Sequence, residues 1–142
     1  MIRAARLEDA EKIANLFLRS MPAPWGVSAI TDAIHSPSTV TWLWEENDAI
    51  LGALILQVCL DEAEILVIAT AKEARRRGIG RGLIAYALKE LGQSLSVFLE
   101  VRSQNLSAIA FYKTLGFSVY GMRKGYYREP PDDALLMKFG NF

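Results

Sequence analysis

Three stretches of the chain carry side chains whose type and spacing could do chemistry: Glu100 in "SVFLEVR", Tyr112 in "SAIAFYKTLG", and the loop "ARRRGIGRG" at residues 74–82. In an extended strand Val97, Leu99 and Val101 share one face, and Phe98 and Glu100 share the other. A carboxylate among apolar neighbours needs a partner or a wet cleft, because burying it unpaired is costly. In a cleft it could accept a proton directly or through one water. At a strand end it could equally face solvent or pair with Arg102. Tyr112 lies one helical turn after Ala108 and beside Phe111. It reads as a core aromatic with a wet hydroxyl or as a group that hands over a proton.

In the loop, Arg75, Arg76 and Arg77 run into Gly78, Ile79, Gly80 and Arg81, where a helical pattern begins. A helix start offers unpaired N–H groups and a positive dipole end. Glycines let the backbone approach a ligand without Cβ atoms in the way. Arginines add forked donors for phosphate oxygens. The loop therefore reads as a phosphate or pyrophosphate holder. It is not a Walker A loop, because no Gly-Lys-Ser/Thr follows. A dinucleotide fingerprint fits poorly: Gly78 and Gly80 give G-x-G and Glu100 lies about 20 residues on, but Leu83 occupies the third glycine position. A solvated basic loop ahead of a helix remains the plain alternative.

The elements that must position these groups follow from periodicity. "MIRAA" predicts a short strand, "LEDAEKIANLFLRSM" and "VSAITDAI" two helices, and "TVTWLWE" and "AILGALILQVCL" two strands around a tight "ENDA" turn. "EAEILVIA" predicts a strand buried on both faces, since its apolar run is continuous. "GRGLIAYALKELG" predicts a helix closed by Gly92, "SVFLEV" a strand, and "SAIAFYKTLG" a helix with Ser107 as N-cap and Gly116 as C-cap. "FSVYGMR" and "DALLMKF" predict two closing strands joined by a turn-rich "GYYREPPDD". The expected fold class is α/β, a mixed sheet with helices on its faces, in one domain over residues 1–142.

Composition narrows the partners. Sixteen basic residues balance sixteen acidic ones, so nothing draws the chain as a whole to nucleic acid or membrane, and an anion site must be local. The single cysteine, Cys59, allows no intrachain disulfide and reads as a small buried hydrophobe. The charged N-terminus lacks a signal sequence and no apolar run approaches a membrane span, so a cytoplasmic location is expected. His35, the only histidine, has no companion ligands and reads as surface, so no metal is expected. Trp42 and Trp44 share a strand face and are expected to pack.

The spacing R-x-x-G-x-G from Arg75 to Gly80, together with "LEVRSQNLSAIAFYKTLGF" and "GYYREPPDDALLM", resembles the GNAT acyltransferase superfamily across essentially the whole chain. The likeness is greatest to bacterial N-terminal alanine acetyltransferases that modify a small-subunit ribosomal protein. The resemblance implies a mostly antiparallel sheet of six or seven strands with about four helices, and acetyl-CoA held at the loop. It implies backbone N–H groups of Ile68, Ala69 and Thr70 at the thioester carbonyl, and Asn105 on the pantetheine arm, although Asn105 could also be only a turn residue. It implies Glu100 as the base for an α-amine, Tyr112 as the proton donor to coenzyme A, and no metal. Trp25, Tyr126 and Tyr127 would meet the acceptor, a protein or peptide N-terminus. Each of the three could instead simply pack. A small-molecule amine as acceptor and a non-catalytic acyl-CoA-binding module are the alternative readings.

Overall fold

The apolar runs become strands and the helically periodic segments become helices in the computed structural model, which describes residues 1–92 and 95–140. In chain order these are β1 (Ile2–Ala4), α1 (Ala10–Ser20), α2 (Val27–His35), β2 (Thr39–Glu46), β3 (Ala49–Cys59), β4 (Glu62–Thr70), α3 (Ile79–Leu91), β5 (Ser96–Arg102), α4 (Leu106–Thr114), β6 (Ser118–Arg128) and β7 (Pro131–Phe139). The strands form one seven-stranded sheet in the order β1-β2-β3-β4-β5-β7-β6. All pairings are antiparallel except β4 with β5. The mixed, mostly antiparallel sheet flanked by four helices agrees with expectation.

Helices lie on both faces because both faces of the central strands are apolar. Ile13, Leu16 and Phe17 of α1 and Ile30 of α2 are fully buried on one side. Burying each such side chain is worth about 1.5–3 kcal/mol. On the other side α3 comes so close that a Cβ at Gly52 would meet Ile79 at 2.6 Å and Leu83 at 3.2 Å. Trp42 stands edge-on to Tyr86 at 5.2 Å, and Trp44 lies against Gly82, so the two tryptophans pack as expected. At the sheet edge Asp9 accepts a two-pronged bond from Arg3, at 2.8 and 2.9 Å, which holds its carboxyl below the usual range.

One irregularity shapes the middle of the sheet. β3 and β4 pair from Cys59↔Glu62 to Leu56↔Ile65, then from Ile55↔Val67 to Gly52↔Thr70, leaving Leu66 without an opposite residue. The extra residue shifts the alternation and bends the strand. Glu64 and Val67 thereby face the α1/α2 side, while Ile65, Ile68 and Thr70 face α3. β5 follows β4 only from Glu62↔Ser96 to Ile65↔Leu99, so the pairing ends at the bulge. Beyond it the two strands part as a wedge. The register carries Phe98 and Glu100 to the α1/α2 side and Val97, Leu99 and Val101 to the α3 side. α4 also lies on the α3 side, with Tyr112 edge-on to Phe117, Phe117 against Phe139, and Phe139 opposite Val97.

β4 itself is buried on both faces, Ala63 and Ile65 toward α3 and Val67 and Ala69 toward α1/α2, with Glu64, Leu66, Ile68 and Thr70 half-buried between them. Three expectations are corrected. Cys59 is exposed, since it ends β3 beside an exposed turn instead of lying under a helix. The cap of α4 is Asn105, whose Oδ1 accepts from the Ala108 N–H at 3.2 Å, and Ser107 donates to that same oxygen. "GYYREPPDD" is mostly strand. β6 runs to Arg128, and Lys124, Gly125 and Tyr126 all stand opposite Asp133 between the pairs Arg123↔Ala134 and Tyr127↔Asp132. Gly125 permits this wide bulge at φ 63°, and its N–H donates to Asp133 Oδ1 at 2.8 Å.

Candidate active site

The loop before α3 presents a run of backbone N–H groups and exposed arginines. Arg76 and Gly78 both have positive φ, 68° and 78°. Such reversals turn successive N–H groups toward one point. The Gly78 carbonyl accepts from Gly82 N–H at 2.9 Å and starts the helix. The N–H groups of Ile79, Gly80 and Arg81 in the first turn then have no acceptor within the helix, and no acidic side chain stands there. Arg75 and Arg76 are exposed beside them.

These groups form one wall of a cleft of about 880 Å³. Ile68, Ala69 and Thr70, at the end of β4 beyond its pairing with β5, form the floor. Asn105, Phe111 and Tyr112 form the far wall. Gly80 lies at the narrow point, where an added Cβ would stand 3.5 Å from Phe111 and 3.7 Å from Thr70. The donors suit a phosphorylated ligand and the passage along β4 suits an extended arm, so the residues present fit coenzyme A. The structure does not bring Arg77 into this cleft: its Nη2 bonds both oxygens of Glu46 at 2.9 and 2.7 Å. Arg81 lines the cleft with its Nη2 donating to Thr114 Oγ1 at 3.0 Å. Tyr112 is 8% exposed, and burial pushes its hydroxyl up to about 12. Ser20, at the end of α1, also lines the cleft, with a buried Oγ that has no partner among the described residues. Nothing in the sequence around Ser20 marks it.

Glu100 lies on the opposite face of the sheet. It opens into a second cleft of about 380 Å³ with Gln57, Glu64, Phe98, Tyr120 and Arg123. Its side chain is 21% exposed, and Arg123 Nη2 stands 3.9 Å from its Oε1. Its carboxylate also accepts from the Tyr126 hydroxyl, which raises the tyrosine above its ordinary value. Tyr126 and Tyr127 meet edge-on at 5.1 Å. Arg102 does not pair with Glu100. Its guanidinium covers the Tyr127 ring at 4.2 Å and donates to the carbonyls of Glu129 and Pro130. Trp25 is half-buried against the core, and the lining of neither cleft includes it. Sequence reasoning missed Glu64 and Arg123. The available signal for Glu64 was an acidic residue inside an apolar strand, the same signal that marked Glu100.

Glu100 and Tyr112 therefore approach from opposite faces, and the wedge between β4 and β5 lies between them. A ligand arm entering along β4 on the α3 side and an acceptor entering on the α1/α2 side would meet there. Among the described residues no cluster of His, Cys, Asp and Glu could hold a metal, and no helix is long and apolar enough to cross a membrane.

A family model described as the acetyltransferase (GNAT) family matches residues 10–117. The [ribosomal protein bS18]-alanine N-acetyltransferase of Salmonella typhimurium is 38% identical over 95 residues, a match covering 64% of each protein. The aligned region thus spans just under two thirds of that curated relative. The crystal structure of the ribosomal-protein-S18-alanine N-acetyltransferase from Escherichia coli superposes with a TM-score of 0.90 at 28% identity, covering 98% of this chain and 92% of that one. Ard1 from Thermoplasma volcanium superposes with a TM-score of 0.88 at 27% identity, covering 98% and 95%.

Proposed function

The chain belongs to the GNAT acetyltransferase family, and from that premise we propose that it transfers an acetyl group from acetyl-CoA to the α-amine of a protein N-terminus, most specifically an N-terminal alanine of a ribosomal protein. One observation carries this reading. A carboxylate, Glu100, and a buried phenol, Tyr112, face one wedge from opposite sides of the sheet, each at the end of its own cleft.

When bound, acetyl-CoA supplies the acetyl group as a thioester. The loop N–H groups of Ile79, Gly80 and Arg81 with Arg75 and Arg76 would hold the pyrophosphate, and the Asn105 amide would face the arm. Peptide groups of Ile68, Ala69 and Thr70, free of a strand neighbour toward β5, hold the carbonyl oxygen and the charge that grows on it. An α-ammonium has a pKa of about 7.7–8.0, so near neutrality it must lose a proton before it can attack. Glu100 accepts that proton, directly or through a water. Tyr112 gives one to the departing sulfur, and its raised pKa keeps it protonated for that task. Tyr126 and Tyr127 flank the acceptor's first residues. Most of the acceleration comes from positioning and from the oxyanion donors. The location that suits this chemistry is the cytoplasm, with no nucleic acid or membrane as direct partner.

The name of the Salmonella relative supports the alanine acceptor, and the edge-on tyrosine pair with Tyr126 beside the Glu100 carboxylate supports a chain end over a mid-chain lysine. The test is a panel of peptides with varied first residues and internal lysines, incubated with acetyl-CoA and read by mass spectrometry. The expected product carries one acetyl group on the α-amine of alanine-initiated peptides. Preferential acetylation of an internal lysine or a small amine would overturn the acceptor assignment.

A further inference from the structure

We propose that Glu64 is the docking carboxylate for the acceptor's α-ammonium, holding that cation beside Glu100 before transfer. The inference rests on the acceptor-cleft reading above and names the group that first grips the amine within it.

Glu64 stands opposite Phe98 in the parallel pairing of β4 with β5, so Glu64 and Glu100 share one sheet face on adjacent strands. Both line the same cleft. Their surroundings differ. Glu100 has Arg123 at 3.9 Å and the Tyr126 hydroxyl. Glu64 is half-buried, and among the described residues no hydrogen bond or ion pair reaches it. The charged and titratable groups facing it are Cys59 from β3, Glu62 from its own strand, Glu100 from β5, and Tyr120 and Arg123 from β6. Tyr126 adds a hydroxyl at Glu100. α1 packs on β4 but contributes nothing to the lining. Three carboxylates thus face one guanidinium, which Glu100 already engages. Burial first, and the neighbouring Glu100 charge second, hold Glu64 above its ordinary value, with Arg123 opposing. A half-buried carboxylate without a donor is a poor resting arrangement, and an ammonium group supplies three donors and the missing charge. The cleft's excess of negative charge also favours a cationic chain end over an acetylated one, so the same carboxylate lets product leave.

The experiment uses the coenzyme A-loaded protein and an alanine-initiated octapeptide, offered with a free amine and with the same amine acetylated, with binding read by calorimetry. Wild type should prefer the free amine by about ten- to a hundredfold, the span expected of a hydrogen bond to a charged group. Glu64→Gln should bring the two affinities together, and Glu64→Asp should restore part of the difference. In turnover, Glu64→Gln should raise the peptide KM about tenfold or more while leaving the acetyl-CoA KM unchanged. Glu64 loses its charge as pH falls through its raised pKa, so wild-type peptide KM should climb there, and the climb should vanish in Glu64→Gln. If wild type acetylates peptides yet Glu64→Gln keeps the free-amine preference, Glu64 is not the dock while the acceptor reading stands. Equal rises in both KM values also overturn it, as general damage. If wild type neither acetylates peptides nor tells the two apart, the acceptor reading falls and the dock with it.

Discussion

At the scale of single residues, the two proposed proton carriers differ in how their surroundings treat them. Tyr112 is sealed among Phe111, Phe117 and the cleft wall, and burial alone lifts it to about 12. A phenol so placed stays protonated through the whole physiological range, so it should impose no alkaline loss of activity below that value. Tyr112→Phe should lower kcat across that range with acetyl-CoA binding nearly intact, as stopped-flow and binding measurements would show. Unchanged kcat would make it a core aromatic only. Glu100→Gln should lower kcat/KM by about 10²–10⁴ at pH 7. The deficit should shrink above about pH 8, where the amine loses its proton unaided. Wild-type activity in Glu100→Gln at pH 7 would move the base elsewhere. That Glu100 and Tyr112 each line a cleft was legible as a candidate in the sequence, from a carboxylate that breaks an apolar strand and a phenol set at helical spacing. What sets Arg77 apart was not legible, because three successive arginines look alike until Glu46 draws one of them across to β2.

At the scale of elements, the site depends on a bulge that composition hides. "EAEILVIA" looks like any buried strand, and nothing in its residue types shows that Leu66 has no opposite number or that β5 leaves β4 after Ile65. Helix positions were readable because apolar spacing alone reports them. Strand register was not, because it is settled by partners far along the chain. The same holds for the wide bulge that puts Lys124, Gly125 and Tyr126 opposite Asp133. The α3 start allows a direct test of what its glycines do. A Cβ at Gly80 meets only ordinary contacts, at 3.5 Å and beyond, within the protein. Gly80→Ala should therefore fold with undiminished thermal stability, helped by better helix propensity, yet raise the acetyl-CoA KM well above wild type while sparing the peptide KM. Gly82→Ala is the control two residues on. Its Cβ would stand 2.8 Å from Trp44, so the ring must shift. Overpacking offset by propensity predicts a net loss of about 1 kcal/mol, seen as a lower melting temperature with little change in the acetyl-CoA KM. Parallel behaviour of the two variants would remove the case for Gly80 as a ligand-approach position.

At the scale of the whole molecule, the sheet keeps the two clefts on opposite faces with the β4–β5 wedge between them, and under the proposed function this bears on the order of events. Both clefts are open to solvent and neither must empty for the other to fill, so donor and acceptor can be present together. A covalent acetyl-enzyme would require a nucleophile at the wedge. The strongest nucleophile among the described residues by chemistry is the exposed thiol of Cys59, which also lines the cleft that holds Glu100. Its position rules it out as a carrier. Cys59 pairs with Glu62 at one end of the β3–β4 ladder, whereas Thr70 pairs with Gly52 at the other. Even Ile68, the nearest of the three residues proposed at the thioester, is six steps along the strand from Glu62, about 20 Å at 3.3 Å per residue. A thioester lodged against Ile68, Ala69 and Thr70 cannot reach a thiol that far along the sheet. The molecule should therefore pass the acetyl group in a ternary complex. Initial-rate measurements with both substrates varied should give intersecting double-reciprocal lines, and Cys59→Ala should retain wild-type kcat. Parallel lines, together with loss of activity in Cys59→Ala and a mass increase of one acetyl group on the protein, would show instead that the acetyl group rests on the enzyme between its two substrates.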